Sequence, residues 1–214
     1  MATTIATATA MLFWLLTERI RDGHATTLGG ASGIVAGLVA ITPSCSSVNA
    51  LGALAIGAAA GVLCALAVGL KFKLGFDDSL DVVGVHLIGG LAGTLLVGLL
   101  AAPESPAING VAGVSKGLFY GGGWGQLERQ AVGAFSVLTY SAIGTLTLAL
   151  ILKYTIGLRL TPEAEAAGID ESEHAESGYD FAAVTGSVLP HASLPDGANG
   201  LEGRVDDKVE AEQK

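Results

Sequence analysis

Apolar residues in this chain come in long blocks separated by short polar joints, and the blocks have the length of a lipid bilayer. A helix needs about 20 predominantly apolar residues to cross the hydrocarbon core. Five stretches qualify: 2–17, 27–48, 50–70, 80–102 and 131–154. The first is short, yet no basic residue precedes its apolar part, and Trp14 followed by Glu18 and Arg19 does not read as a cleavage site. It predicts a helix that has lost its beginning rather than a signal peptide. The expected fold class is therefore all-α, a polytopic transmembrane helical bundle.

Charge placement sets the expected orientation. Arg19 and Arg21 lie in the first joint, Lys71 and Lys73 in the third, and Lys153 and Arg159 after the last span, so alternate joints are basic. Basic joints stay on the cytoplasmic side, which predicts an outer N-terminus and a cytoplasmic C-terminus. The net charge of −9 is uneven. Residues 1–160 carry 8 Lys/Arg against 7 Asp/Glu and residues 161–214 carry 3 against 13, so the body is +1 and the tail −10. An acidity confined to the tail argues against nucleic-acid binding. Half the residues are hydrophobic and 14% are charged, which agrees with an integral membrane protein. Cys45 and Cys64 fall in different spans, with neither metal spacing nor a disulfide framework.

Small residues recur every four positions: Gly29, Gly33 and Gly37 in the second span, Gly57 and Gly61 in the third, Gly89 and Gly93 in the fourth. Such stripes let helix backbones approach closely in lipid. They suit a bundle packed around a narrow lumen, and equally ordinary helix packing. The fourth span adds a titratable group, His86, to an otherwise apolar run. An ionisable side chain at membrane depth marks either a transport path or a buried hydrogen bond to a neighbouring helix. Asp77, Asp78 and Ser79 form a predicted cap at the helix start, and carboxylates there complement the helix dipole. Val82, His86, Gly89 or Gly90, and Gly93 are expected to share one face.

The local words extend this reading. Asp77-Asp78-Ser-Leu-Asp81-Val82-Val-Gly84-Val85-His86-Leu-Ile-Gly89-Gly90 resembles the histidine-bearing helix start of the ammonium transporter family (Amt/Mep/Rh), bacterial Amt branch. Leu28-Gly-Gly-Ala-Ser-Gly33 through Thr42-Pro43-Ser-Cys45 is similar to that family's eighth helix and following loop. Gly157-Leu-Arg159, Gly168-Ile-Asp170, His174, Glu176 and Tyr179 resemble its cytoplasmic tail signature. Members have eleven transmembrane helices, ten of them in two inverted halves. The resemblance implies helices seven to eleven plus the tail: a partial transporter domain over 1–160, a cytoplasmic regulatory tail over 161–179, and an acidic segment over 180–214 whose composition reads as disordered.

By the same resemblance His86 is one of two paired pore histidines, with Val82 and Val85 as lumen wall and Asp81 at the helix start. Its partner is expected on a helix that this chain does not contain, since His24 falls in a joint and His174 and His191 in the tail. Arg159, Gly168, Asp170, His174, Glu176 and Tyr179 are the implied tail-coupling set. The implied activity is ammonium or ammonia transport in the cell inner membrane by a homotrimer, with a PII-type signal protein docking at the cytoplasmic face. A truncated, non-conducting subunit with a structural or regulatory role is the alternative. No cofactor is implied, and His174 with Glu176 lacks a second histidine or cysteine at ligand spacing, so no metal is expected. No nucleophile–base pair or phosphate-binding loop suggests an enzyme.

Overall fold

The structure is a computed structural model that describes residues 1–176, and every regular element among them is helical. It divides into two units, Met1–Leu150 and the part of Ile151–Lys214 that is described. The first holds α1 (Ala2–Asp22), α2 (Thr27–Ile41), α3 (Ala50–Ala67), the short α4 (Leu70–Leu74), a π-helical turn (Val82–Leu87) that runs on as α5 (Ile88–Leu100), and most of α6 (Gly125–Thr155). Two short helices, α7 (Pro162–Ala167) and α8 (Ile169–His174), lie in the second unit.

All five expected spans are helical, with shifted ends. Three stretches, Ala50–Leu74, Val82–Leu100 and Gly125–Thr155, are long and apolar enough to cross a membrane by themselves. α2 has only 15 residues. It stops at Ile41 rather than at residue 48 because Pro43 has no N–H to continue the ladder. The chain leaves it through tight turns in which Ser44 N–H donates to Ile41 O at 3.0 Å and Ser47 N–H to Ser44 O at 2.9 Å. α1 has 21 residues, but its last turns carry Glu18, Arg19, Arg21 and Asp22. α6 starts at Gly125, six residues before the predicted 131, with Glu128 in its first turn.

α1 sits between α2 and α3, and the glycine stripes are what let it. A Cβ on Gly33 would stand 2.8 Å from Trp14 Cβ, and one on Gly37 2.8 Å from both Ala10 Cβ and Thr7 Cα. From α3, Gly57 meets the Ala6 carbonyl and Cα, and Gly61 the Ala10 carbonyl and the Trp14 nitrogen, so both stripes close on the same α1 carbonyls. These separations lie far inside the ~3.5–4.0 Å optimum for nonbonded carbons, so a side chain at any of these positions would force the helices apart. Gly93 rests on the Ala40 backbone in the same way, joining α5 to α2. The stripes thus serve backbone-on-backbone packing. Ala6, Ala10, Ile41, Ala53, Ile56 and Ala60 fill what remains of the core.

Polar clamps close the two ends of this bundle. At one end Glu18 accepts from the Trp14 indole at 3.2 Å and from Thr26 N–H at 2.9 Å, while the Thr26 hydroxyl caps α2 through Gly29 N–H at 2.8 Å. Arg21 donates to Ala65 O at 2.8 Å, satisfying a carbonyl in the last turn of α3. At the other end Asn49 caps α3 by accepting from Gly52 N–H at 2.9 Å, and its amide donates to Glu104 at 2.6 Å and to the Tyr120 hydroxyl at 2.7 Å. The 101–120 loop is also pinned by Ala102 N–H on Ser47 O and Ala107 N–H on Ser46 O, both 2.9 Å.

Asn49 therefore performs two jobs that substitution separates. Asn49→Asp keeps the cap oxygen but removes the amide donor and sets a like charge against Glu104; Asn49→Ala removes both. The Asn49 amide holds the Glu104 carboxyl below its ordinary 4.5. A lowered folded-state pKa contributes stability above the unfolded value that is lost as pH falls through the folded one. In detergent, Asn49→Ala is expected to lower stability by about 1 kcal/mol, the scale of a lost helix cap. The thermal midpoint of Asn49→Asp should rise relative to wild type on acidification from pH 6 to pH 4. A parallel decline of the two midpoints would contradict the amide–carboxylate pairing.

Candidate functional site

The segment that carries His86 begins with an unusual helix start. The Asp78 carboxylate spans two orphan amides, accepting from Val82 N–H at 2.7 Å and Val83 N–H at 2.9 Å. Asp77 supports Ser79 at 3.1 Å rather than the helix itself. Asp81 stands in the left-handed region at φ 56, where aspartate is tolerated better than most residues. Its carboxylate pairs with the Lys71 ammonium at 2.7 Å, and that same ammonium donates to Asp78 O at 2.9 Å. Lys71 is mostly buried at 18% exposure.

After this start the chain makes one π-helical turn before α5 continues as a regular helix. A π-turn bonds i to i+5 and so inserts one residue into the winding. In a regular helix Val82 and His86 would share the face of Gly89 and Gly93, as the sequence suggests. The extra residue separates them. Gly84 and Val85 are buried with Gly89 and Gly93, whereas Val82 and His86 are exposed. Val85 packs into a cluster with Trp14, Ala36, Cys64 and Ala65, and its carbonyl accepts from the Cys64 thiol at 3.7 Å. His86 faces the other way, into a groove of about 460 Å³ between α5 and α6.

That groove is largely apolar. Leu87, Gly90, Leu91 and Thr94 continue the His86 side, and Gln130, Gly133, Ala134, Val137, Leu138 and Ser141 form the α6 side. Of the three expected path residues only His86 lines it. Val82 lies outside the lining, and Val85 belongs to the core. His86 has no hydrogen-bond partner among the described residues. His24 rests against Asp22 O at 3.0 Å and His174 stands 3.8 Å from Asp170 in the second unit. Lys71 and the π-turn were not legible as parts of this site; the only trace in the sequence was a lysine in a basic joint.

The second unit orders the tail residues by local bonds. Arg159 pairs with Glu165 at 2.8 Å and holds that carboxyl below its ordinary range. Thr161 caps α7 through Ala164 N–H at 3.3 Å, with Pro162 in the first helical position, where its missing N–H costs nothing. Gly168 joins α7 to α8 at φ 104, a conformation closed to other residues without strain. Glu176 N–H donates to Asp170 O at 3.0 Å. Tyr179 and the 180–214 segment lie outside the described residues.

Residues 1–179 match the Ammonium Transporter Family. The chain is 79% identical over 213 residues to a Mycobacterium tuberculosis protein named ammonium transporter, covering 99% of this chain and 45% of that one. It is 43% identical to the ammonium transporter of Aquifex aeolicus, covering 84% of this chain and 40% of the relative. The fold superposes on the crystal structure of Saccharomyces cerevisiae Mep2 with a TM-score of 0.70 and 34% identity, over 76% of this chain and 36% of that one. On Candida albicans Mep2 the TM-score is 0.71 at 29% identity, over 84% and 42%. The chain thus spans less than half the length of these relatives, and it belongs to the ammonium transporter family.

Proposed function

We propose that this chain forms one side of a path by which ammonia nitrogen crosses the cell inner membrane, with His86 as a hydrogen-bonding and proton-relay group on that path. The observation that carries the reading is the position of His86. It is an imidazole turned out of the packed core into a largely apolar groove. Moving an ammonium ion into such a dry lining costs roughly tens of kcal/mol in the Born limit, far more than moving neutral ammonia. A substrate that sheds its proton avoids most of that cost. A neutral imidazole both accepts from and donates to the species that crosses, and it passes a proton on.

A single imidazole on an open groove is half of a relay, so the reading includes a second wall opposite α5 and α6. The 214 residues expressed alone are expected to give no methylammonium uptake in cells lacking their own transporters. Joined behind the preceding part of the M. tuberculosis relative, the chain should transport, and His86→Leu should cut uptake by about 10²-fold or more, the scale of a lost acid–base group. Full uptake by His86→Leu would remove the histidine from the path.

The orientation follows the basic joints. Arg21 and Lys71 gather at one end of the bundle with Asp81 and Val68, while the uncharged turn around Cys45 lies beside the Asn49 clamp at the other. We place the first end in the cytoplasm and the N-terminus outside. Cys45, which is exposed, should react with an impermeant maleimide on intact cells, and a cysteine at Ser193 should not. The reverse pattern would invert the topology.

The tail is read as a coupler between subunits of a homotrimer, near where a PII-type signal protein docks. Its described residues bury no side chain within their own unit, so their bonds are surface bonds that need another surface to order against. Gly168→Asp, which forces a side chain into φ 104, should impair transport in the joined protein with the trimer still forming, and should reduce uptake when mixed with wild type. Uptake in simple proportion to the wild-type share would end the coupling role.

A further inference from the structure

The direction in which His86 points depends on a feature that the apolar pattern of its helix does not contain. With regular winding His86 would lie over Gly89 and Gly93, the face that packs on Cys64, Val39 and Ala40. One π-turn carries it off that face, and one residue of a 3.6-residue turn is about 100° of rotation. π-turns are rare and have poorer backbone bonding than α-helix, so an isolated one persists where surrounding contacts hold it.

Those contacts are on the N-terminal side of the turn. The Asp78 carboxylate takes the Val82 and Val83 amides. Asp81 is held at φ 56 with its carboxylate on Lys71 at 2.7 Å, and its own carbonyl accepts from Val85 N–H at 2.8 Å. Lys71 donates its second bond to the carbonyl of Asp78 at 2.9 Å. A single ammonium thus ties together the two aspartates that define where the winding starts. On the C-terminal side the turn is fixed by Gly84 against Val68, with a Cβ there only 2.8 Å from Val68 Cγ1, and by Val85 in the core.

We propose that Lys71, with Asp78 and Asp81, is a clasp that sets the register of the π-turn and so aims His86 into the groove. Lys71 is a positioning residue, since it does not line the groove. Replacing it leaves the Asp81 carboxylate half-buried at 33% exposure and without its cation, in a strained backbone conformation. The winding then relaxes toward a regular helix and carries residue 86 toward the Gly89 face. The inference rests on the reading of His86 as a path residue only for its consequence in transport; the geometry stands apart from it.

The test uses the 214-residue chain in detergent, in a Cys45→Ser, Cys64→Ser background, with a cysteine placed either at His86 or at Val85. With the clasp intact, maleimide should react far faster at position 86 than at 85. Lys71→Met should lower the 86-to-85 rate ratio by about tenfold, as expected when a shift of about one residue trades an exposed position for a buried one. Lys71→Arg, which keeps a cation on Asp81, should restore it. Asp81→Asn, which tolerates the left-handed backbone and keeps an acceptor oxygen, covers the case in which Lys71→Met fails to fold, and should lower the ratio less than Lys71→Met. In the joined transporter, Lys71→Met should reduce methylammonium uptake by about 10²-fold, as small misplacements of a reacting group do, with Lys71→Arg near wild type. An unchanged ratio in both Lys71→Met and Asp81→Asn overturns the clasp whatever transport does. A changed ratio with unchanged uptake upholds the clasp and removes His86 from the path.

Discussion

Everything in the first unit depends on how closely α1 approaches α2 and α3. In lipid there is no apolar burial to drive helices together, because the tails are as apolar as the side chains, so association rests on van der Waals packing at short range. Gly33 and Gly37 of α2, and Gly57 and Gly61 of α3, converge on backbone atoms of Ala6, Ala10 and Met11 at distances that no side chain permits. The core is accordingly built of alanines and glycines with few large residues, among which Ile41, Ile56 and Trp14 are the bulkiest. Gly93 on Ala40 extends the same contact to α5, which fixes the helix bearing His86 against the rest.

Close packing alone does not decide which way a helix faces. Two bundle ends do that with polar bonds: Glu18, Thr26 and Arg21 at one, Asn49 with Glu104 and Tyr120 at the other. These groups satisfy helix-terminal amides and carbonyls that lipid-facing chain leaves without partners. The Lys71 clasp is a third member of the set, and it differs in consequence. It acts on a π-turn, whose winding displaces the one imidazole of the apolar spans from the packed face to the groove.

Much of this was legible in the residues. The length of the apolar blocks gives the helices, the spacing of the glycines gives the close-packed faces, and the alternation of basic joints places Arg21 and Lys71 at a common end. The cap at Asp78 follows from a short acidic side chain just ahead of an apolar run. What one sequence determines well is local: propensity, period and the nearest turn of a helix.

The facing of His86 was a different matter. Periodicity put Val82, His86, Gly89 or Gly90, and Gly93 on one stripe, and the structure divides them because the winding is not regular there. No residue of the 82–87 segment announces a π-turn; it is held by Lys71, ten residues upstream of Asp81, and by Gly84 resting on Val68 at the end of α3. The tether of the 101–120 loop to Ser46, Ser47 and Asn49 was hidden for the same reason. The sequence determined which residues are helical and which faces are small, because those depend on neighbours three or four positions away. The tertiary structure alone decided which residues look out from the core, because that depends on bonds between segments that meet only when the chain is folded.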